Sequence, residues 1–435
     1  MSQIWDTVFR GGIWGGGGFS LTPDFVLNFL NGGSVPNSLL SVSRTGATYT
    51  INNAGLLVPV ADNTARLKFD PQTKRSRGLT VERAVTNLVS NSEDFTNASW
   101  TKAGCTISGN VTTDPYGTLL ADKIVEDNTT TRHQIRVQPA ITANTIYTGV
   151  IALKAAERTK ATVLLRDTAE STGGTMSVDL TNGQITSSSV TGTGTDFLFY
   201  VEPWVDGWYL CYVSGVIDAT STTARFLFCP NNAANAATYL GDSVSGIYCF
   251  GGQVYAGRPV SYCPTTRTVE NVTISDALVA SLFSGPAVTV YTESVSLTPY
   301  NGVSAEIALT ARNSGGITER HSLAHVRQST DGRGQGSTVA GGATIASLVP
   351  TGAYTIGAKR RIAYAAKQDR FNCAIDGVLG TEDTSGAMPT AINQLVLGSL
   401  AGTSNLLDGE LQVVAIFKRY LEPDKLRQLS LVGVT

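Results

Sequence analysis

Apolar and polar residues alternate along this chain in short runs, and almost nowhere at helical spacing. Strand-like runs occupy residues 123–126, 145–153, 162–165, 197–201, 208–213, 225–228 and 247–250. Clusters such as Ser187-Ser188-Ser189 and Gly192-Thr193-Gly194 separate them. Short strands at this spacing, with no helical pattern between them, predict a two-sheet sandwich or jelly roll over residues 88–270. Residues 271–435 predict a second sandwich. There 288–295 alternates as a half-buried strand should, and 361–366 and 371–375 lead into an Asp376-Gly377 hairpin turn. Runs at 395–398 and 409–417 follow. Residues 421–429 read as a short helix with Pro423 and Asp424 near its start.

Ahead of these lie two segments of different character. Residues 21–87 carry brief alternating patterns and strong turn signals, with strands at 48–51 and 56–60 around Asn52-Asn53-Ala54-Gly55. They are expected to pack on the domain that follows. Residues 1–20 combine Trp5, Phe9, Trp14 and Phe19 with the four glycines 15–18. Such a run holds no regular element by itself, yet each large apolar side chain gains roughly 1.5–3 kcal/mol on burial. It reads as an anchor that orders against a partner. The fold class predicted is therefore all-β: two β-sandwich (jelly-roll) domains in tandem behind an extended N-terminal anchor. No 20–50-residue period repeats, which argues against a solenoid.

Composition sharpens this picture. Charged residues make up 15% of the 435-residue chain, against roughly 25% in an average soluble domain. Their place is taken by 45 glycines and by Ser, Thr and Asn, which favour turns and strands over helix interiors. The net charge is −2 and the densest basic stretch is Lys74-Arg75-Ser76-Arg77. Counterion release thus offers little drive toward nucleic acid. The six cysteines show neither a C-x-x-C pair nor metal-ligand spacing, and read as buried free thiols. No signal-peptide pattern and no apolar run near 20 residues is present, so synthesis in a cytosol without membrane insertion is expected.

Several segments resemble, in order, a module of tailed-bacteriophage virion proteins, especially tail-fibre and other host-facing ones. They are Ser43-Arg44-Thr45-Gly46-Ala47-Thr48-Tyr49, Phe69-Asp70-Pro71, Arg77-Gly78-Leu79-Thr80-Val81-Glu82, Thr86-Asn87-Leu88, Ser92-Glu93-Asp94-Phe95 and Asn97-Ala98-Ser99-Trp100. Further along come Asp206-Gly207-Trp208-Tyr209, Gly252-Gln253-Val254-Tyr255-Ala256-Gly257 and Ser261-Tyr262-Cys263-Pro264-Thr265-Thr266. The set covers roughly residues 28–270. The C-terminal order of Asp-Gly turn, Leu-Gly strand, long strand and short helix resembles concanavalin-like and laminin-G-like domains. These resemblances imply a structural virion protein, a tail fibre or spike component that attaches to host-surface polysaccharide. They also imply a homotrimer docked to other virion proteins through Trp5, Phe9, Trp14 and Phe19. A capsid decoration or head-fibre protein is the alternative, and a glycan depolymerase a third.

Candidate chemistry is sparse. His321 and His325 are four apart, which suits a helical metal pair, but in a strand that spacing merely places both on one face. No G-x-S-x-G and no P-loop occurs. Glu82, Glu93, Asp94, Glu126 and Asp127 are the carboxylates from which a glycosidase pair would have to come. Asp94, Asp122 and Asp127 could be drawn to a calcium ion, but no D-x-D-x-D-G loop is present. No enzyme, cofactor or metal is expected. Glycan binding needs aromatic faces beside fixed polar groups. Trp204, in a turn-like setting, with Trp100 and Tyr116, are the glycan-binding candidates; Trp208 reads as core.

Overall fold

The computed structural model describes residues 21–32, 39–275, 277–296, 305–327, 331–352 and 354–434. The anchor residues Trp5, Phe9, Trp14 and Phe19 lie outside them. The fold is all-β, built as two antiparallel sandwiches. No described helix is long and apolar enough to cross a membrane.

The central sandwich pairs two six-stranded sheets. One runs Thr195–Pro203, Trp208–Val216, Ile146–Ala155, Gly246–Ala256, Ala121–Glu126, Cys105–Thr112. The other runs Gln184–Thr191, Gly173–Asp179, Lys160–Asp167, Ala224–Asn231, Gln134–Val137, Thr101–Ala103. Alternate side chains of both sheets fill the space between them, among them Ile151, Val163, Met176, Val213 and Phe226. Cys211, Cys249, Cys229, Cys263 and Cys373 are buried free thiols, while Cys105 is partly exposed.

The second sandwich is not confined to residues 271–435. Its first sheet contains Arg370–Ile375, Lys359–Lys367, Ala287–Ser296 and Gly409–Phe417, then continues through Ser76–Val81 to Leu67–Phe69. Phe25–Asn28 also pairs with Gly409–Phe417, setting Phe25 opposite Ile416. Its second sheet begins with Ser41–Ser43 beside Asn271–Ser275. Residues 21–87 were expected to pack on the central domain. The hairpin of Tyr49–Ile51 and Leu57–Pro59 does so, with Ile51 and Leu57 against Trp204, Trp208 and Phe250, as does Val85 of the short strand Val85–Thr86, which pairs with Thr266–Arg267. Strands Phe25–Asn28, Ser41–Ser43, Leu67–Phe69 and Ser76–Val81 instead complete the C-terminal sheets. The reason is pairing: Gly409–Phe417 offers a long apolar edge, and that edge is filled from the front of the chain.

Local signals act as expected where they are self-contained. Asp376 and Gly377 both take positive φ (50° and 83°) and join Ile375 to Val378 in a two-residue hairpin. The closing helix, Pro423–Val432, carries its proline in the first turn. Strand Ala287–Ser296 departs from the half-buried expectation, being buried at nine consecutive positions. Its outer face is covered by Leu426 and Leu429 of that helix and by Leu21 and Val26.

The central sandwich is thus inserted between Glu82 and Glu270, and the two ends of the insertion are clamped together. The backbone N–H of Glu270 donates to the Glu82 carbonyl (3.0 Å). Arg66 donates to both carboxylates, to Glu82 at 2.8 Å and to Glu270 through Nε at 2.7 Å. Arg44 reaches Glu270 at 2.9 Å, and Arg267 lies 2.9 Å from Glu82. Ser261 closes the ring by donating its backbone N–H and its hydroxyl to Glu82, both at 2.8 Å. Burial alone would raise the Glu82 carboxyl, but Arg66 and Arg267 outweigh it and hold it well below the usual carboxylate range. Arg66→Met would leave two buried carboxylates short of a partner. A loss of about 3–5 kcal/mol is expected, because one half of a buried ion pair is far costlier than none. Urea unfolding checks this; an unchanged midpoint would show that the clamp contributes nothing.

Candidate functional site

The segments that carry the sequence resemblance are far apart in the chain and meet along one seam. Asn87 accepts at Oδ1 from the backbone of Val89 (3.1 Å) and Val254 (3.0 Å), and donates from Nδ2 to Ser92 (2.6 Å) and Pro264 (3.0 Å). Arg44 and Glu82 belong to the clamp. Trp100 packs at 4.8 Å on Phe95 and donates from Nε1 to the Asn91 carbonyl at 3.0 Å. Trp208 donates from Nε1 to the Thr113 carbonyl at 3.1 Å. These residues hold structure together.

Two of the three aromatic candidates therefore have no free face. Trp100 is 1% and Trp204 2% exposed. Trp204 does sit at a turn, but the leading hairpin lies over it, and Gln72 donates to its carbonyl at 2.5 Å from 132 residues upstream. Neither serves as a ligand platform here. The hairpin that covers Trp204 arrives from elsewhere in the chain, so no local pattern announces it.

Tyr116 is placed differently. It is half-buried at the rim of an aromatic cluster, 5.6 Å from Tyr49 and 5.2 Å from Phe250, with Tyr262 at 5.5 Å from Tyr49 and Trp204 beneath at 6.2 Å from Tyr262. The hydroxyls of Tyr116 and Tyr262 both donate to Glu93 Oε1 at 2.6 Å. Burial first, and the bond to Glu93 second, push the Tyr116 phenol far above its ordinary value; burial likewise pushes up that of Tyr262. Both stay protonated donors. Glu93 is only partly buried, and both phenol hydrogen bonds fall on Oε1. The result is a carboxylate fixed by two phenols beside two half-exposed tyrosine rings. Such a group suits a ligand bearing hydroxyl donors and an apolar face. Glu93 was read from sequence only as a possible catalytic carboxylate, and Tyr49 and Tyr262 were not singled out. Tyr49, Glu93 and Tyr262 each lie in a segment that carries the sequence resemblance, but their convergence is decided by tertiary pairing.

The remaining candidates are committed elsewhere. Asp122 accepts from the backbones of Phe95 and Asn110, both at 2.9 Å, while Asp94 caps Thr96 and Asp127 caps Thr129. The three do not converge, and among the described residues no three His, Cys, Asp or Glu side chains group as a metal site requires. Glu126 is buried, accepting from Arg158 at 2.9 Å and Tyr239 at 2.6 Å. Two small clefts measure about 10 and 20 Å³, the first lined by Tyr49, Trp204 and Tyr262 of the aromatic cluster and the second by Glu82 and Ser261 of the clamp, room for at most one water each.

His321 and His325 lie in strand Arg320–Val326, both buried. His325 Nδ1 is 2.7 Å from Ser294 Oγ, a pairing the sequence did not suggest. Both side chains are fully buried, and burial followed by Arg360 pushes the imidazole well below its usual range. No substrate reaches this pair in the structure. The same interior holds Glu306, whose Oε2 has no partner among the described residues. Burial pushes its carboxyl well above the ordinary value. The group is therefore harmless to the fold below about pH 4.3, its unfolded pKa. It costs stability progressively as pH rises toward the folded value, because only the unfolded chain ionises freely. Glu306→Gln is expected to raise Tm over the parent increasingly between pH 5 and pH 8, as read by paired thermal melts. A difference that does not change with pH would contradict the assignment.

Comparison with known proteins adds little. No family model matches the chain, and no curated protein is significantly similar to it. Among solved structures, a carbohydrate-binding module of a Ruminococcus gnavus sialidase bound to α2,3-sialyllactose overlaps 33% of this chain and 83% of its own, at 13% identity and TM-score 0.29. Domain 4 of a Geobacillus stearothermophilus arabinanase, with arabinotriose, overlaps 37% and 73% at 15% identity and TM-score 0.28. A pentraxin from Limulus polyphemus overlaps 34% and 72% at 12% identity and TM-score 0.27. Scores of this size describe partial overlap of strands and say nothing of a ligand.

Proposed function

We propose that this chain is a non-enzymatic surface protein of a tailed-phage particle, a tail fibre or spike component, which binds host glycan through the Glu93–Tyr116 cluster. The observation that carries the binding half is the partly buried Glu93 carboxylate, held at Oε1 by Tyr116 and Tyr262 beside Tyr49. A sugar offers what that group lacks: hydroxyl donors for the carboxylate and C–H faces for the rings. The particle half rests on the ordered resemblance over residues 28–270, with the anchor at residues 1–20 as the docking segment. A binding reading is supported by how the other candidate carboxylates are engaged: Glu82 and Glu126 are tied into buried ion pairs, and Asp94 and Asp127 cap Thr96 and Thr129.

Retention on immobilised host polysaccharide tests the site. Glu93→Gln keeps an acceptor for the two phenols but removes the charge, and about a tenfold weakening is expected, the value of one charge-assisted hydrogen bond. Equal retention of parent and variant would move the binding surface elsewhere. Antibody-gold labelling of intact particles tests the location: a few grains at the tail tip are expected. Grains spread over the capsid would make the protein a decoration or head fibre instead.

A further inference from the structure

The central sandwich ends on one side in an unusual edge. Strand Gln184–Thr191 pairs only with Gly173–Asp179, and its first seven residues are exposed. The adjoining edge of the other sheet, Thr195–Pro203, lies beside it. Edges of this length are normally protected by charge, proline or a covering loop. Gln184-Ile185-Thr186-Ser187-Ser188-Ser189-Val190-Thr191 has no charged residue and no proline. Most other sheet edges are shorter, as at Thr101–Ala103, Val378–Leu379 and Ser41–Ser43; the six-residue edge Ala343–Leu348 is likewise uncharged but shorter, and is interrupted by a register shift opposite Thr338 and Val339. Cys105–Thr112, of equal length, is broken by a register shift opposite Ala121 and Lys123 and by Asn110 at positive φ.

The strand has one irregularity of its own. Ser187 pairs with Ser177 but Ile185 pairs with Val178, so Thr186 is an extra residue. Val190 pairs with Gly174. Positions 174 and 178 share a face by the period of two, so the bulge brings Ile185 and Val190 onto one face. That face is the one Met176 and Val178 turn to the core. There Ile185 and Val190 remain exposed, and Phe197 and Phe199, stacked at 5.9 Å, are only partly buried beside them. An apolar stripe therefore runs between two open edges.

We propose that this edge pairs antiparallel with the same edge of a second copy, continuing the sheet across a two-fold axis. The occupant is argued from the residues themselves. Three serines are flanked on each side by one aliphatic β-branched residue and one threonine, so the strand presents the same classes of residue in either direction. A two-fold through Ser188 sets Ser187 against Ser189 and Thr186 against Val190. With no charge on the strand, the two copies meet without repulsion, and nothing selects a charged partner. The axis is perpendicular to the sheet, so both Ile185–Val190 faces come together on one side. This two-fold contact differs from the three-fold assembly that the resemblance implies.

Sedimentation velocity of the full chain over a hundredfold range of concentration tests the pairing. The expected result is a shift from 45.8 kDa to twice that mass. Ser188→Lys and Ser188→Glu each place like charges on the axis, so each variant alone should stay monomeric. Mixed in equal amounts they should regain the doubled mass, which two misfolded variants could not do. A parent that stays monomeric throughout or forms a trimer would overturn the proposal. So would a dimer that either variant leaves unchanged.

Discussion

Two carboxylates and three guanidiniums, all out of water, sit where the chain leaves one sandwich and returns to it. Glu82 and Glu270 mark the ends of the inserted central domain, and Arg66 donates to both. Ions so deeply buried are tolerable only when fully paired. The clamp therefore fixes the relative position of strands from residues 66–82, from 267–275 and from the leading hairpin at once. A sheet register that moved one of them would strand a charge in the core.

The candidate site follows from that constraint. Ser261 donates to Glu82, and the next residue, Tyr262, donates to Glu93. Tyr49 lies five residues after Arg44 and offers its carbonyl to Arg66 at 3.2 Å. Tyr49 and Tyr262 of the aromatic cluster thus lie on chain segments whose positions the ion pairs have already set. Its geometry is rigid because its supports are expensive to break. The same reasoning explains why the resembling segments carry so few free side chains: Asn87, Trp100 and Trp208 spend their polar atoms chiefly on backbone partners.

The free edge at Gln184–Thr191 lies on the far side of the central sheets from their short edge at Thr101–Ala103. Site and edge thus draw on separate parts of the central domain. Binding and self-association can in principle be altered independently, because no residue belongs to both.

Much of the architecture was legible in residue order. Alternation with period two named many of the strands, though Ser187-Ser188-Ser189, read as a separator between strands, lies inside strand Gln184–Thr191; Asp376-Gly377 named its hairpin, and Pro423 with Asp424 named the last helix, since each depends on neighbours in sequence. The anchor at residues 1–20 rests on sequence alone. Sequence could not assign the strands of residues 21–87 to a sheet, because pairing partners such as Phe25 and Ile416 lie at opposite ends of the chain. Nor could it tell that Trp204 would be roofed by a distant hairpin while Tyr116 stayed at the rim, for burial is a property of what arrives from elsewhere. Local pattern determined what each segment is; only long-range pairing of strands and charges decided what it faces.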